Sequence, residues 1–237
     1  MLRFWGQAKF SPSSGRILGF ELFLRELDLE TNRWQVPQDF SVFAPSIVVT
    51  LLTETLRTLP AGLELVSINL DQEQFIDPEF SRLLAELAVN LPFKLVVELT
   101  ERKGHGVRKI AVADLVRSAK RFSTNGLAVC LDDVGTGENQ LDLVQILDPY
   151  VSEYKYALQN VRGSLTTAVI FDELQLWQRR ARNQNKFLAI EGFEEVSDVA
   201  LIDALQPDVV QGYLYAKPHL FPMKADFHLM STDATQE

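Results

Sequence analysis

Leu65-Val66-Ser67-Ile68-Asn69-Leu70, then a helical stretch at about 78–90, then Leu95-Val96-Val97-Glu98-Leu99 is the segment whose reading decides the fold. Two short apolar, β-branched runs flank an amphipathic stretch, which is the pattern of a strand, a crossover helix and a parallel strand. Toward the C-terminus the unit recurs. Apolar runs at 127–131, 151–156, 187–190 and 209–213 alternate with helical stretches at 107–122, 140–147, 164–183 and 196–205. Toward the N-terminus, helical periodicity at 47–59 stops at Pro60 and follows a polar loop that carries Asn32 and Pro37. The opening reads differently. Residues 2–10 and 17–24 look like two strands joined by Pro12-Ser13-Ser14-Gly15, a turn too short for a parallel crossover. About eight strands in this order predict an α/β fold, a TIM-like β/α barrel with an antiparallel first strand.

The length of 237 residues suits one such barrel. A single domain is therefore expected over 1–237, with the barrel at about 2–218 and a weakly patterned tail at about 224–237. Hydrophobic residues at 46% and charged residues at 23% describe an ordinary globular chain and exclude disorder. No apolar run approaches the roughly 18 residues of a membrane span, so membrane insertion is not expected. The net charge of −9 lacks the basic footprint of a general nucleic-acid binder. Arg179-Arg180 and Arg182 fall in a long amphipathic stretch and read as a solvated helix face. The opening residues show no signal peptide, and a lone cysteine, Cys130, excludes an internal disulfide, so a cytoplasmic location is expected.

Chemistry collects at the C-terminal ends of the predicted strands. Glu21, Asn69, Glu98, Asp132, Asp133, Lys155, Glu191 and Gln211 all sit at or just beyond such an end. In a β/α barrel these ends share one rim, where active sites are built. Carboxylate and amide oxygens suit hard cations such as Mg²⁺ or Mn²⁺. Two of them ~3.5–4 Å apart would hold the acidic groups together and clamp the attacking water and leaving oxygen of a displaced phosphoryl group. Each residue alone could serve only as a helix cap or turn former, as Asp132-Asp133-Val134-Gly135-Thr136-Gly137 illustrates. Taken together they leave that reading without an account of Lys155 and Glu191 at the ends of apolar strands. Cys130 reads as a buried thiol, and His105, His219 and His228 are dispersed away from the strand ends.

These stretches resemble the EAL-domain family of cyclic di-GMP phosphodiesterases, in the family's order, from about Gly19 to Pro218. Gly19-Phe20-Glu21-Leu22-Phe23-Leu24-Arg25 is similar to its signature, with Leu-Phe for Ala-Leu. Ser67-Ile68-Asn69-Leu70, Glu98-Leu99-Thr100-Glu101, the Asp132–Gly137 loop, Ile190-Glu191-Gly192-Phe193-Glu194 and Gln211-Gly212-Tyr213 with Lys217-Pro218 follow. The resemblance implies a metal-dependent phosphodiesterase of bacterial signalling that opens cyclic di-GMP to linear pGpG, using Mg²⁺ or Mn²⁺ in a two-metal site. It implies Glu21, Asn69, Glu98, Asp132 and Asp133 as metal ligands and Lys155 and Glu191 as catalytic residues. Arg25 and Gln211 would bind substrate, while Glu101 and Glu194 would brace the loop after Asp133. The alternative it leaves open is a catalytically inactive receptor for the nucleotide or a protein-interaction adaptor, and it leaves a homodimer open too. Three departures stand out. Leu22-Phe23 adds bulk near the ligand, the loop continues Glu138-Asn139-Gln140-Leu141, and Ala157 replaces the aspartate usual two residues after the lysine. None removes a metal ligand.

Overall fold

The chain begins with an antiparallel hairpin of β1 (Leu2–Phe10) and β2 (Ile17–Asp28), in a register that pairs Gln7 with Glu21 and is offset by a bulge between Lys9 and Phe10. The computed structural model describes residues 1–100, 110–137 and 139–223. Glu101, the beginning of the helix expected at 107–122, and the tail from 224 lie outside the described residues. After the hairpin come β3 (Arg33–Gln35), α1 (Pro45–Leu56), β4 (Leu65–Leu70), α2 (Gln72–Ile76), α3 (Pro78–Ala88) and β5 (Lys94–Leu99). Next are α4 (Val112–Thr124), β6 (Ala128–Leu131), α5 (Leu141–Leu147), β7 (Glu153–Ala157) and α6 (Leu158–Val161). The chain continues through α7 (Thr167–Gln184), β8 (Phe187–Glu191), α8 (Ala200–Leu205), β9 (Val209–Val210) and β10 (His219–Leu220).

From β2 through β4, β5, β6, β7 and β8 to β9, successive strands pair in parallel. β1 closes the circuit, antiparallel to β2 on one side and to β9 on the other through Phe10 and Val210. The expected barrel with an antiparallel first strand is thus the observed one. β3 and β10 lie outside the closed circuit, against the end of β2 and the middle of β1. Neither was expected from the sequence pattern. β2 runs four residues past the expected end because β3 pairs with Glu26–Asp28, across a turn in which the Asp28 carboxylate accepts from Glu30 N and Thr31 N and Asn32 takes φ 51°.

Alternation along each strand separates two environments. Val66, Ile68 and Leu70, Val97 and Leu99, Val129 and Leu131, and Leu188 and Ile190 face outward and join Leu52, Leu84, Ala119, Phe122 and Leu174 of the helices in the main hydrophobic core. The intervening positions carry Lys9, Glu21, Ser67, Glu98, Glu153 and Lys155, all buried, along the barrel axis. So the apolar core is the ring between barrel and helices, and the barrel itself has a charged interior. Helix boundaries follow local chemistry: Pro45 opens α1, Pro78 opens α3 under an Asp77 cap, and Asn185 in a left-handed conformation ends α7. Among the described residues no helix is long and apolar enough to cross a membrane.

Candidate active site

Lys155 is the hub. It is buried in β7, and its Nζ donates to Glu98 Oε2 at 2.5 Å and to Glu21 Oε1 at 3.1 Å. The same ammonium lies 3.1 Å from Asp132 Oδ1 and 3.2 Å from Glu191 Oε2. Four strands therefore deliver a carboxylate to one lysine: Glu98, Asp132 and Glu191 lie at or just after the C-terminal ends of β5, β6 and β8, and Glu21 lies near the end of the β2 segment that pairs with β4. Asp132, Asp133 and Glu191 each offer an oxygen within 4.8 Å of the others, a grouping that could hold a cation. The Asn69 amide donates to Glu21 Oε1 at 2.7 Å, which turns its carbonyl oxygen away. That Oδ1 is buried with no hydrogen-bond partner among the described residues. A buried polar atom without a partner is costly, and beside carboxylates it is the donor type a hard cation takes. The residues fit a divalent metal.

Gln211 donates to Glu21 Oε2 at 2.9 Å and to Gln7 Oε1 at 3.0 Å, so it ties β9 to the hairpin across the barrel seam. Arg25 lies two positions beyond Phe23 on the Glu21 face of β2 and stacks over the Phe23 ring at 5.8 Å. Both line a cavity of about 390 Å³ with Asp133, Glu194, Gln159 and Tyr213, a volume suited to a small ligand. Leu22 points the other way, into the apolar core. Of the bulk that departs from the signature, only Phe23 reaches the pocket.

The loop after β6 is braced from within. Asp133 adopts φ 50°, and its amide donates to Asp132 Oδ1 at 2.9 Å. Thr136 returns hydrogen bonds to Asp133 O from both its amide and its hydroxyl. The Asn139 side chain, buried, donates to Asp132 O at 2.5 Å. Asn139, part of the stretch that departs from the family pattern, thus fastens the loop at its first residue. Glu194 borders the pocket, with its amide held by Asp198.

Sequence reasoning missed two interior charges. Lys9 Nζ sits 2.5 Å from Glu98 Oε1 and 3.9 Å from Glu153 Oε1. The signal was available: Gln7 and Lys9 share a face of β1, and Glu153 and Lys155 share a face of β7. Burial works against ionisation of Glu98, but the Lys155 and Lys9 ammonium groups hold its carboxyl at about 2. Glu21 and Asp132 go the other way. Burial raises both, reinforced by Glu98 for Glu21 and by Glu191 and Asp133 for Asp132. Burial alone would lower Lys155, but the carboxylates of Asp132, Glu191, Glu21 and Glu98 outweigh it and raise the ammonium well above its ordinary range. Among these carboxylates Lys155 is held as an ammonium, a cation placed to orient a water or steady negative charge.

Comparison with known proteins follows this geometry. Among curated proteins, no sequence matches the chain. The EAL enzyme Bd1971 in its cAMP and cyclic-di-GMP bound form superposes with a TM-score of 0.73 at 20% identity, covering 92% of this chain and 62% of that one. An EAL domain protein from Listeria monocytogenes EGD-e gives 0.73 at 17% identity, over 99% of this chain and 93% of that one. The Bacillus subtilis YkuI protein, in complex with substrate c-di-GMP and calcium, gives 0.73 at 18% identity, over 99% and 62%. The chain thus spans about 62% of the length of Bd1971 and of YkuI, and identities this low speak to the fold. The family model described as EAL domain matches residues 2–218. That match takes in every strand of the closed barrel and every acidic residue at its rim, and this protein belongs to the EAL domain family.

Proposed function

We propose that this protein hydrolyses cyclic di-GMP to linear pGpG with the help of two divalent cations, Mg²⁺ or Mn²⁺. The observation that carries the reading is the Asn69 carbonyl oxygen, unpartnered among the described residues, in a pocket that Glu21, Asp132, Asp133 and Glu191 also line, with Glu98 paired to Asn69 on the β4–β5 ladder. Those six side chains would hold the cations. Bound there, the cations supply Lewis acidity to the phosphoryl oxygens and the attacking water. Lys155 orients that water and steadies negative charge on the phosphoryl oxygens. One P–O bond forms to water, the bond to the 3′-oxygen breaks, and the proton ends on that oxygen. Arg25 binds the ligand phosphate, where a guanidinium contacts two oxygens at once, and Gln211 keeps Glu21 in place while bordering the ligand.

The test is to incubate purified protein with Mn²⁺ and cyclic di-GMP and follow pGpG by chromatography. Turnover is expected, lost in Glu98→Gln and slowed about 10²–10⁴-fold in Lys155→Ala, the scale of loss when one positioned catalytic group is removed. Binding should survive Lys155→Ala and fall sharply in Arg25→Ala. The absence of the family aspartate at Ala157 favours the inactive-receptor reading. That reading prevails if wild type binds the nucleotide with Mn²⁺ and leaves it intact.

A further inference from the structure

Glu191 is held at both oxygens. Oε2 faces Lys155 at 3.2 Å, and Oε1 accepts a hydrogen bond from Nε2 of Gln159, in the short helix α6 that follows β7. Ala157 lies directly across the β7–β8 ladder from Glu191 and is buried, so the β7 residue paired with Glu191 offers that carboxylate only a methyl group. The backbone is shaped for the contact from α6. Gly192, the next residue, takes φ 79°, and a Cβ there would fall 1.9 Å from Gln159 Oε1 and 2.8 Å from Gln159 N. Only glycine lets the exit of β8 approach the start of α6 so closely. Arg162, one residue past α6, fixes the same exit by donating to Gly192 O at 3.0 Å and to the Asp198 carboxylate at 2.9 Å.

We infer that Gln159 is a positioning residue for the metal centre, an amide donor that keeps Glu191 Oε2 turned into the acidic cluster and so sets the affinity for a divalent cation. The inference rests on the proposed metal site, and it gives the Ala157 departure a physical sense. The strand lost a carboxylate beside Glu191, and α6 supplies a neutral donor in its place. The site carries one negative charge fewer, and Glu191 is oriented by a hydrogen bond rather than crowded by a second acid. Gln159 is exposed to the pocket, so water competes for the bond. Its effect belongs at the low end of the range for groups that orient metal ligands, about tenfold.

Calorimetric titration of the full chain with Mn²⁺ in the absence of nucleotide tests this directly. Gln159→Met keeps length and volume and lacks the amide, and it should weaken Mn²⁺ binding about tenfold. Gln159→Asn keeps a neutral amide N–H donor, one methylene shorter, and should lose less Mn²⁺ affinity than Gln159→Met. Unchanged affinity in Gln159→Met, or equal loss in both variants, overturns the inference. Where turnover is measurable, Gln159→Met at saturating Mn²⁺ should leave the nucleotide KM within about twofold and lower kcat, as expected for lost orientation without a lost substrate contact. A raised KM with unchanged kcat would make Gln159 a substrate contact and sink the positioning role. Should wild type bind Mn²⁺ and cleave nothing, the phosphodiesterase reading falls while this one stands. Should it bind no Mn²⁺, both fall.

Discussion

Glu98 is gripped from both sides, by Lys155 toward the rim and Lys9 toward the barrel floor, and this sets it apart from Glu21 and Asp132. Paired with two ammonium groups it stays ionised; the others are dominated by burial and by each other. The difference has a thermodynamic consequence whose sign can be worked out. Glu21, Asp132 and Glu153 have folded pKa values above their unfolded ones, so folding takes up protons. In the window from the unfolded carboxyl range of about 4 up to those raised values, stability in a metal chelator should therefore rise as pH falls. Glu98 opposes this only lower down, since its contribution is present above about 4 and is lost toward its folded value of about 2. A cation reverses the slope, because it binds the ionised carboxylates and so is favoured by higher pH. Urea unfolding at about pH 5.5 and pH 8, with chelator and with Mn²⁺, should give pH trends of opposite sign. Matching trends would mean that these carboxylates do not bind the metal.

At the scale of elements, the loop between β6 and α5 carries two metal candidates and draws its rigidity from Asn139. Asn139→Ala leaves the buried Asp132 carbonyl without that donor and should cost about 1–3 kcal/mol in urea unfolding, with weaker Mn²⁺ binding. Gln140 also reaches back into the loop, to Gly137 O at 3.1 Å and Gly135 O at 3.4 Å, but from an exposed position. Gln140→Ala should stay within about 0.5 kcal/mol of wild type. Equal effects would show that the loop is fixed by something other than the Asn139 amide. The two residues are adjacent, polar and alike in sequence, so burial alone separates them, and burial here depends on how the loop folds back. The same limit governs what the sequence made legible. Strand-end acids were readable because their spacing repeats with the βα unit. Lys9 was not singled out because the first strand runs antiparallel, so that its C-terminal end lies away from the rim where the other strands end, and β9 proved shorter than its apolar run because the chain leaves the sheet at Gln211. The stretch expected as one helix at 196–205 is a 3₁₀ turn over Val196–Val199 followed by α8, with Asp198 occupied by Arg162 and the Glu194 and Glu195 amides.

For the whole molecule, the weak place in the barrel is its seam. β4 and β5 pair along six positions, whereas β1 meets β9 only at Phe10 and Val210. What reinforces the seam is the returning chain: β10 pairs with Trp5 and Gly6, Phe221 N donates to Phe4 O at 3.2 Å, and Gln7 Nε2 donates to Ala216 O at 2.8 Å. Phe221 lies over Gly6 because Gly6 has no side chain; a Cβ there would fall 2.1 Å from the ring. The ring has little freedom to retreat, being buried and stacked edge-on against Phe20 at 5.1 Å and beside His219 at 4.7 Å. Gly6→Ala should therefore push β10 away from β1. Overpacking of this kind costs about 1–3 kcal/mol, and the loss should concentrate at the seam. Hydrogen exchange should quicken at the amides of Trp5, Gly6 and Phe221 while those of β4 and β5 keep their protection, since local opening follows the contacts that are lost. The consequence reaches the active site, because Gln7 and Gln211 join the seam to Glu21. A loosened seam should weaken Mn²⁺ binding although Gly6 touches no ligand. Uniformly faster exchange across all strands would instead mean that the barrel opens as one unit and that β10 has no special part in closing it.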